Sequence, residues 1–186
     1  APAAVINESA ETIVATGAVI ASIPMVDSIP SIDMFEDGDV VDVDASAGTV
    51  EIRDVEMRES VSSVLLKDGK VLMLKRPEGC HSFPGIWSLV AGSIEPGESP
   101  KEAAGREIME ETAIEVGAPD AALDPIYVRE GRTLWKVYPF AYRVKDAEPV
   151  LNEENEDFRW VSPDDIQSLE TVRDTERVVR LLLGRL

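Results

Sequence analysis

Between Gly92 and Ile114 the chain reads Gly-Ser-Ile-Glu-Pro-Gly-Glu-Ser-Pro-Lys-Glu-Ala-Ala-Gly-Arg-Glu-Ile-Met-Glu-Glu-Thr-Ala-Ile, and no other stretch restricts the fold as strongly. Ser99 is a natural N-cap, Pro100 suits the first helical position, and Glu102 completes a Ser-x-x-Glu capping box. A helix is therefore expected from Pro100 to about Thr112. On it, Glu107, Glu110 and Glu111 fall at i, i+3 and i+4, within a wedge of roughly 100°. Like charges at that spacing destabilise an exposed helix by a few tenths of a kcal/mol per pair. A solvated acidic face is the plain explanation of a bare Glu-x-x-Glu-Glu. A cluster of hard oxygen ligands for Mg²⁺ or Mn²⁺ is the chemical one. Ala104 and Ile108 lie to one side, where they can pack on a sheet. Arg106 can orient or partly neutralise the carboxylates, and Glu98 is its obvious partner.

Charge sharpens the question. Acidic residues number 36 against 18 basic ones, a net charge of -18. That balance argues against nucleic acid as a partner, because phosphate backbones need Lys and Arg. An anionic small-molecule substrate would need a cation to offset the field, and a bound divalent metal supplies it. No apolar run approaches the roughly 20 residues of a membrane span, and Ile13–Ile23 is broken by Thr16, Gly17 and Ser22. No basic region precedes an apolar stretch, so a signal peptide is not expected. Cys80 is the only cysteine, which excludes a disulfide framework within the chain and suits the cytoplasm.

Two parts are visible along the chain. Arg53 is the first Lys or Arg, and basic residues are regularly interspersed from Arg58 onward. That shift suggests two domains, residues 1–56 and 57–186. In the first, Ala3–Asn7 reads as a strand, Glu8–Ala21 as helix or a helix–strand mixture, and residues 40–44 and 49–52 as a hairpin. In the second, Val61–Lys67 and Lys70–Lys75 flank Asp68-Gly69, a strong hairpin signal. Strands are expected at Trp87–Ala91, Ile126–Arg129, Trp135–Val144 and Asp157–Val161. A helical turn at Pro163–Leu169 and a helix at Asp174–Leu183 close the chain. The fold class is α+β.

The full string resembles the signature of the Nudix hydrolases: Gly, five residues, Glu, seven residues, Arg-Glu, an aliphatic, any residue, Glu-Glu, any residue, Gly, an aliphatic. Gly92, Glu98, Arg106, Glu107, Ile108, Glu110, Glu111 and Ile114 match. The departure is Ala113 in place of Gly, and Gly117 is expected to take over the helix stop. The resemblance extends over residues 58–186 and implies an α/β/α sandwich with a mixed sheet. It implies hydrolysis of a nucleoside diphosphate linked to another moiety, with Mg²⁺ (or Mn²⁺) on Glu107, Glu110, Glu111 and the Gly92 carbonyl. Glu110 or Glu111 would act as base and Arg106 would assist. A downstream Glu is also implied, with Glu153, Glu154 and Glu156 as candidates. Arg76, Arg129, Arg132 and Lys136 are candidates for substrate phosphates. Trp87, Phe83 and Trp135 are candidates for base stacking, with core packing as the alternative for each ring. His81 and Cys80 form a weak pair with no third member in evidence.

Residues 1–54 resemble the C-terminal half of the small swivelling subunit of aconitase X-type dehydratases, on Ala1–Asn7, Ile13–Asp27 and the Gly38–Ile52 hairpin. The family's Gly/Ser-rich substrate loop has no counterpart here, so no dehydratase activity is inferred. A partial, β-rich swivelling-type segment leaves sheet edges uncovered. Homo-oligomerisation or docking through residues 1–56 is therefore expected. Two alternatives to the hydrolase stand beside it: a non-catalytic nucleotide-sensing module, and an accessory subunit associated with such a dehydratase.

Overall fold

The structure is a computed structural model that describes residues 1–80, 83–145 and 148–186. In chain order the strands and helices are β1 (Val5–Ile6), α1 (Thr12–Ala21), β2 (Met25–Val26), β3 (Val41–Asp44), β4 (Thr49–Ile52), β5 (Glu56–Lys67), β6 (Lys70–Lys75), β7 (Trp87–Ser88), β8 (Val90–Ser93), α2 (Pro100–Thr112), β9 (Ala121–Ala122), β10 (Ile126–Glu130), β11 (Thr133–Arg143), β12 (Asp157–Val161) and α3 (Thr175–Leu183). Short 3₁₀ turns occupy Ile32–Met34 and Ile166–Ser168. Two compact units divide the chain: residues 1–58 with 126–136, and residues 59–125 with 137–186. Among the described residues, no helix is long and apolar enough to cross a membrane.

In the first unit, β1 and β2 pair in parallel, Val5 opposite Met25 and Ile6 opposite Val26, with α1 as the connection between them. Parallel neighbours need such a crossover. The helix ends where Ser22 turns left-handed (φ 54°). Of its ten residues only Ala18 is buried; Ile13, Val19 and Ile20 are each more than three-quarters exposed. The β3–β4 hairpin sets Val41 opposite Ile52, and the Asp44 carboxylate accepts the Ser46 and Ala47 N–H groups in its turn (2.9 and 3.0 Å). Arg129 of β10 is nearly buried and pairs with Asp39 at 3.1 Å.

In the second unit, β5 and β6 form the expected hairpin, with Lys67 opposite Lys70. Its two turn residues, Asp68 (φ 51°) and Gly69 (φ 75°), are both left-handed, the conformation whose twist matches that of the flanking strands. Antiparallel β12 covers the other edge of β6, Trp160 opposite Leu72. Strand β8 lies antiparallel to β5, Gly92 opposite Val61, and Trp87 bridges in parallel to Thr171, so the sheet is mixed. The expected strand over Trp87–Ala91 is split at Leu89: β7 pairs with β6 and β8 with β5. The core joins Val61, Leu65, Leu72 and Leu74 from the sheet to Ala104 and Ile108 of α2. Helix α3 buries Val178, Val179 and Leu182.

The start of α2 follows its sequence: the Ser99 hydroxyl accepts the Glu102 N–H, and the Glu102 carboxylate accepts the Ser99 N–H at 2.8 Å. Its end differs from expectation. The stop lies at Ala113 rather than Gly117, with Ala113 left-handed (φ 55°) and its N–H on the Met109 carbonyl. A Cβ in that conformation is crowded by the following carbonyl, which costs about 1 kcal/mol. Ala113→Gly is therefore expected to stabilise the protein by up to about 1 kcal/mol in urea titration, with activity unchanged.

Candidate active site

Strand β8 and helix α2 build the site together. The buried positions of α2 form two adjacent rows at i, i+4 spacing. Ala104, Ile108 and Thr112 make one row. Ala103, Glu107 and Glu111 make the other, so two carboxylates are carried inward with the packing surface. The expected wedge is thus graded in depth. Glu111 is 4% exposed and Glu107 9%, whereas the Glu110 side chain is 55% exposed.

Gly92 is fixed by space. A Cβ built on it would overlap the Glu107 carboxyl group, so no larger residue fits while Glu107 stays where it is.

Arg106 binds with all five of its N–H donors. Nε and Nη2 form a bidentate pair with Glu98, both at 3.0 Å, and Nη2 also donates to the Ser93 carbonyl at 2.9 Å. Nη1 is shared between Glu107 (2.7 Å) and Glu110 (3.1 Å). Glu98, chiefly through its hydrogen bond, holds the guanidinium more firmly protonated than usual. In return the Glu98 carboxyl is held below the ordinary carboxylate range. No donor of Arg106 is left for a substrate.

Glu111 has no ion pair among the described residues. Its Oε1 accepts the Ala91 N–H at 3.2 Å and its Oε2 accepts Asn155 Nδ2 at 2.9 Å. Burial pushes its pKa up to about 7; these two donors oppose the rise, and the charges of Glu107 and Glu154 add to it. Burial also raises Glu107, although Arg106 beside it pulls the other way, and Glu110 and Glu154 add to the rise. Glu154 is therefore electrostatically part of the cluster. Glu156 is engaged elsewhere, with Lys75 at 2.6 Å.

Among the described residues, no three His, Cys, Asp or Glu side chains converge as a ready metal cage. Glu107 and Glu110 are both turned onto Arg106 Nη1. The donor chemistry nonetheless fits a hard divalent cation. Three carboxylates share one helical face, and two of them are buried with raised proton affinity. One guanidinium, already shared with Glu98, leaves that charge unbalanced.

The remaining residues singled out by sequence fall in different places. Trp87 is 6% exposed and lies beneath Arg159, whose guanidinium carbon is 4.6 Å from the ring centroid; it packs. Phe83 is exposed and left-handed at φ 52°. Trp135 donates to Glu130 at 3.3 Å. Arg76 Nε is buried and meets no acceptor among the described residues. Arg129 and Arg132 are paired with Asp39 and Asp54. His81 lies outside the described residues. Sequence reasoning missed Asn155. A single Asn inside an acidic run carries no local signal, and only the fold brings it to Glu111.

The NUDIX domain model matches residues 57–182, and the aconitase X swivel domain model matches residues 1–52. Nucleoside triphosphatase NudI of Escherichia coli O17:K52:H18 is 31% identical over 137 residues, 68% of this chain and 97% of that protein. The MutT protein of Methanosarcina mazei Go1 superposes with a TM-score of 0.62 at 26% identity, covering 70% of this chain and 95% of its own. A MutT NUDIX hydrolase of Burkholderia pseudomallei gives 0.60 at 21% identity, over 67% and 97%, a likeness of fold. The matching domain model and the triphosphatase relative define a hydrolase. The chain belongs to the Nudix family.

Proposed function

We propose that the chain is a Mg²⁺-dependent hydrolase that cleaves a diphosphate linkage in a nucleoside diphosphate derivative, with nucleoside triphosphates inside that class and Mn²⁺ able to replace Mg²⁺. The observation that carries this reading is the graded wedge: Glu107 and Glu111 buried on the face of α2 that meets β8, and Glu110 open beside them. Glu107, Glu110, Glu111 and the Gly92 carbonyl would hold the ion. When bound, the ion neutralises phosphoryl charge and makes water a better nucleophile. Of the two glutamates that sequence left open as base, Glu111 is the better placed: it is buried and oriented by the Ala91 and Asn155 N–H groups, whereas Glu110 is open and turned onto Arg106. Arg106 braces the cluster rather than touching substrate. Arg76, whose buried Nε meets no acceptor among the described residues, is the candidate for the substrate phosphates, and Glu154 adds its charge to the cluster.

The test is a screen for product release from nucleoside triphosphates, nucleotide sugars, ADP-ribose and dinucleotides. Turnover is expected on one class, lost in EDTA and restored by Mg²⁺ or Mn²⁺. Nucleotide binding without turnover on any class would overturn the reading in favour of a sensing module.

Within the same proposal, residues 57–186 are the hydrolase domain, in the cytoplasm, and residues 1–56 are a docking element. The exposed Ile13, Val19 and Ile20 support this, and the first 52 residues hold ten acidic side chains and no Lys or Arg. Pairing of two such copies is opposed by charge, which salt screens. Size-exclusion chromatography is expected to show an assembly that strengthens from about 0.05 to about 0.5 M NaCl, over which the Debye length falls to about a third. A strict monomer at both would remove the docking role.

A further inference from the structure

Glu111 owes the orientation of its carboxylate to a residue outside the Gly92–Ile114 stretch. Asn155 is 6% exposed and its Nδ2 lies 2.9 Å from Glu111 Oε2. The Ala91 N–H holds the other oxygen at 3.2 Å. Two donors on two oxygens, one from the strand below and one from the loop before β12, fix the plane of the carboxylate. The loop is itself anchored. Asn152 accepts the Glu154 N–H through its side chain (3.0 Å) and the Asn155 N–H through its carbonyl (3.4 Å). Beyond it, the Glu156 N–H donates to the Lys75 carbonyl at 2.8 Å, and the Glu156 carboxylate pairs with Lys75 Nζ. Asn155 therefore cannot follow Glu111 if that side chain swings; it restrains it. The side chain makes no other hydrogen bond within the described residues that would explain burying a primary amide there, and a buried amide is retained where its partner matters.

We infer that Asn155 is a positioning residue for the hydrolysis: it sets the direction in which Glu111 presents its free lone pairs, and it ties the loop that carries Glu154 to the carboxylate wedge. The inference rests on the role given to Glu111 above. Outer partners of reacting or ligating groups typically matter by 10–100-fold.

The experiment compares N155A, N155L and E111Q. N155L roughly keeps the volume of the amide and loses the donor without adding a charge or an acidic proton, so it separates packing from hydrogen bonding. Both Asn155 variants are expected to lose roughly 10–100-fold in kcat with KM changed less than about twofold. In ¹⁵N-labelled, metal-free protein, one side-chain amide pair is expected to vanish in N155A and to shift in E111Q, a readout that needs no turnover. Wild-type kcat in N155L, or a loss in N155A that runs parallel in kcat, KM and melting temperature, assigns Asn155 to packing and overturns the inference. An inactive E111Q beside Asn155 variants of wild-type kcat overturns this inference alone. Wild-type kcat in E111Q overturns the reading of Glu111, and the role of Asn155 falls with it.

Discussion

Glu111→Gln is expected to lower kcat by roughly two to four orders of magnitude, the range that a positioned proton acceptor contributes, and at the same time to stabilise the metal-free protein at alkaline pH. The second effect follows from linkage. In the folded chain Glu111 has a pKa of about 7 against an ordinary 4.5. The native state therefore binds this proton more tightly than the unfolded state does. The corresponding stability is fully present below about pH 4.5 and is lost as pH rises through about 7. A rise from 4.5 to about 7 corresponds to about 3 kcal/mol. Glutamine does not titrate and escapes that loss. It satisfies the Ala91 and Asn155 N–H groups less well than a carboxylate does, which offsets part of the gain. At pH 8 in EDTA, thermal melting should place E111Q several degrees above wild type; at pH 5 the two should converge. A divalent cation should raise the wild-type midpoint at pH 8 and close the gap from the other side. E111Q with wild-type turnover, or melting below wild type at pH 8, would sink the assignment.

Arg106→Ala should be the most destabilising single change in the site. It removes five hydrogen bonds at once and leaves Glu98 and Glu107, both mostly buried, beside Glu110 with no cation among them. Breaking a partly buried charge cluster from one side strands its other members, and the melting midpoint is expected to fall by roughly 5–10 °C. Arg106→Lys keeps the charge but offers three donors in place of a planar fork, so it should recover only part of the loss. Added Mg²⁺ should raise the midpoint of R106A more than that of wild type, because the stranded carboxylates then have only the ion to balance them. Equal shifts in both proteins would mean that Arg106 and the metal do not share the carboxylates.

The parts of this site governed by local chemistry were legible in the sequence. The capping box of Ser99 and Glu102 set the start of α2, and Asp68-Gly69 set the β5–β6 turn, because both depend on residues within a few positions of each other. The glutamate wedge and the Glu98–Arg106 pair followed from helical geometry. What escaped depended on long-range approach. The depth gradient among the three glutamates is decided by which row of α2 meets β8. Asn155 reaches Glu111 across 44 positions of sequence. Trp87, read as a candidate for stacking or for core packing, lies in the core beneath Arg159. Ala113 shows the reverse case: its sequence argued against a left-handed stop, and the packing of α2 imposes one regardless. The short β2 and β9 strands, two residues each, carry no periodicity to read.

The contact between Gly92 and Glu107 turns a single methyl group into a mechanical wedge. Alanine at position 92 would add no charge and remove no ionisable group, yet its Cβ would claim the volume held by the Glu107 carboxyl and lever that side chain off Arg106. Such a variant keeps the whole titratable inventory of the protein while spoiling its arrangement. It would serve as a silent-charge control, distinguishing what the acidity of this surface does to an approaching anion from what the placement of its oxygens does to a phosphate already there.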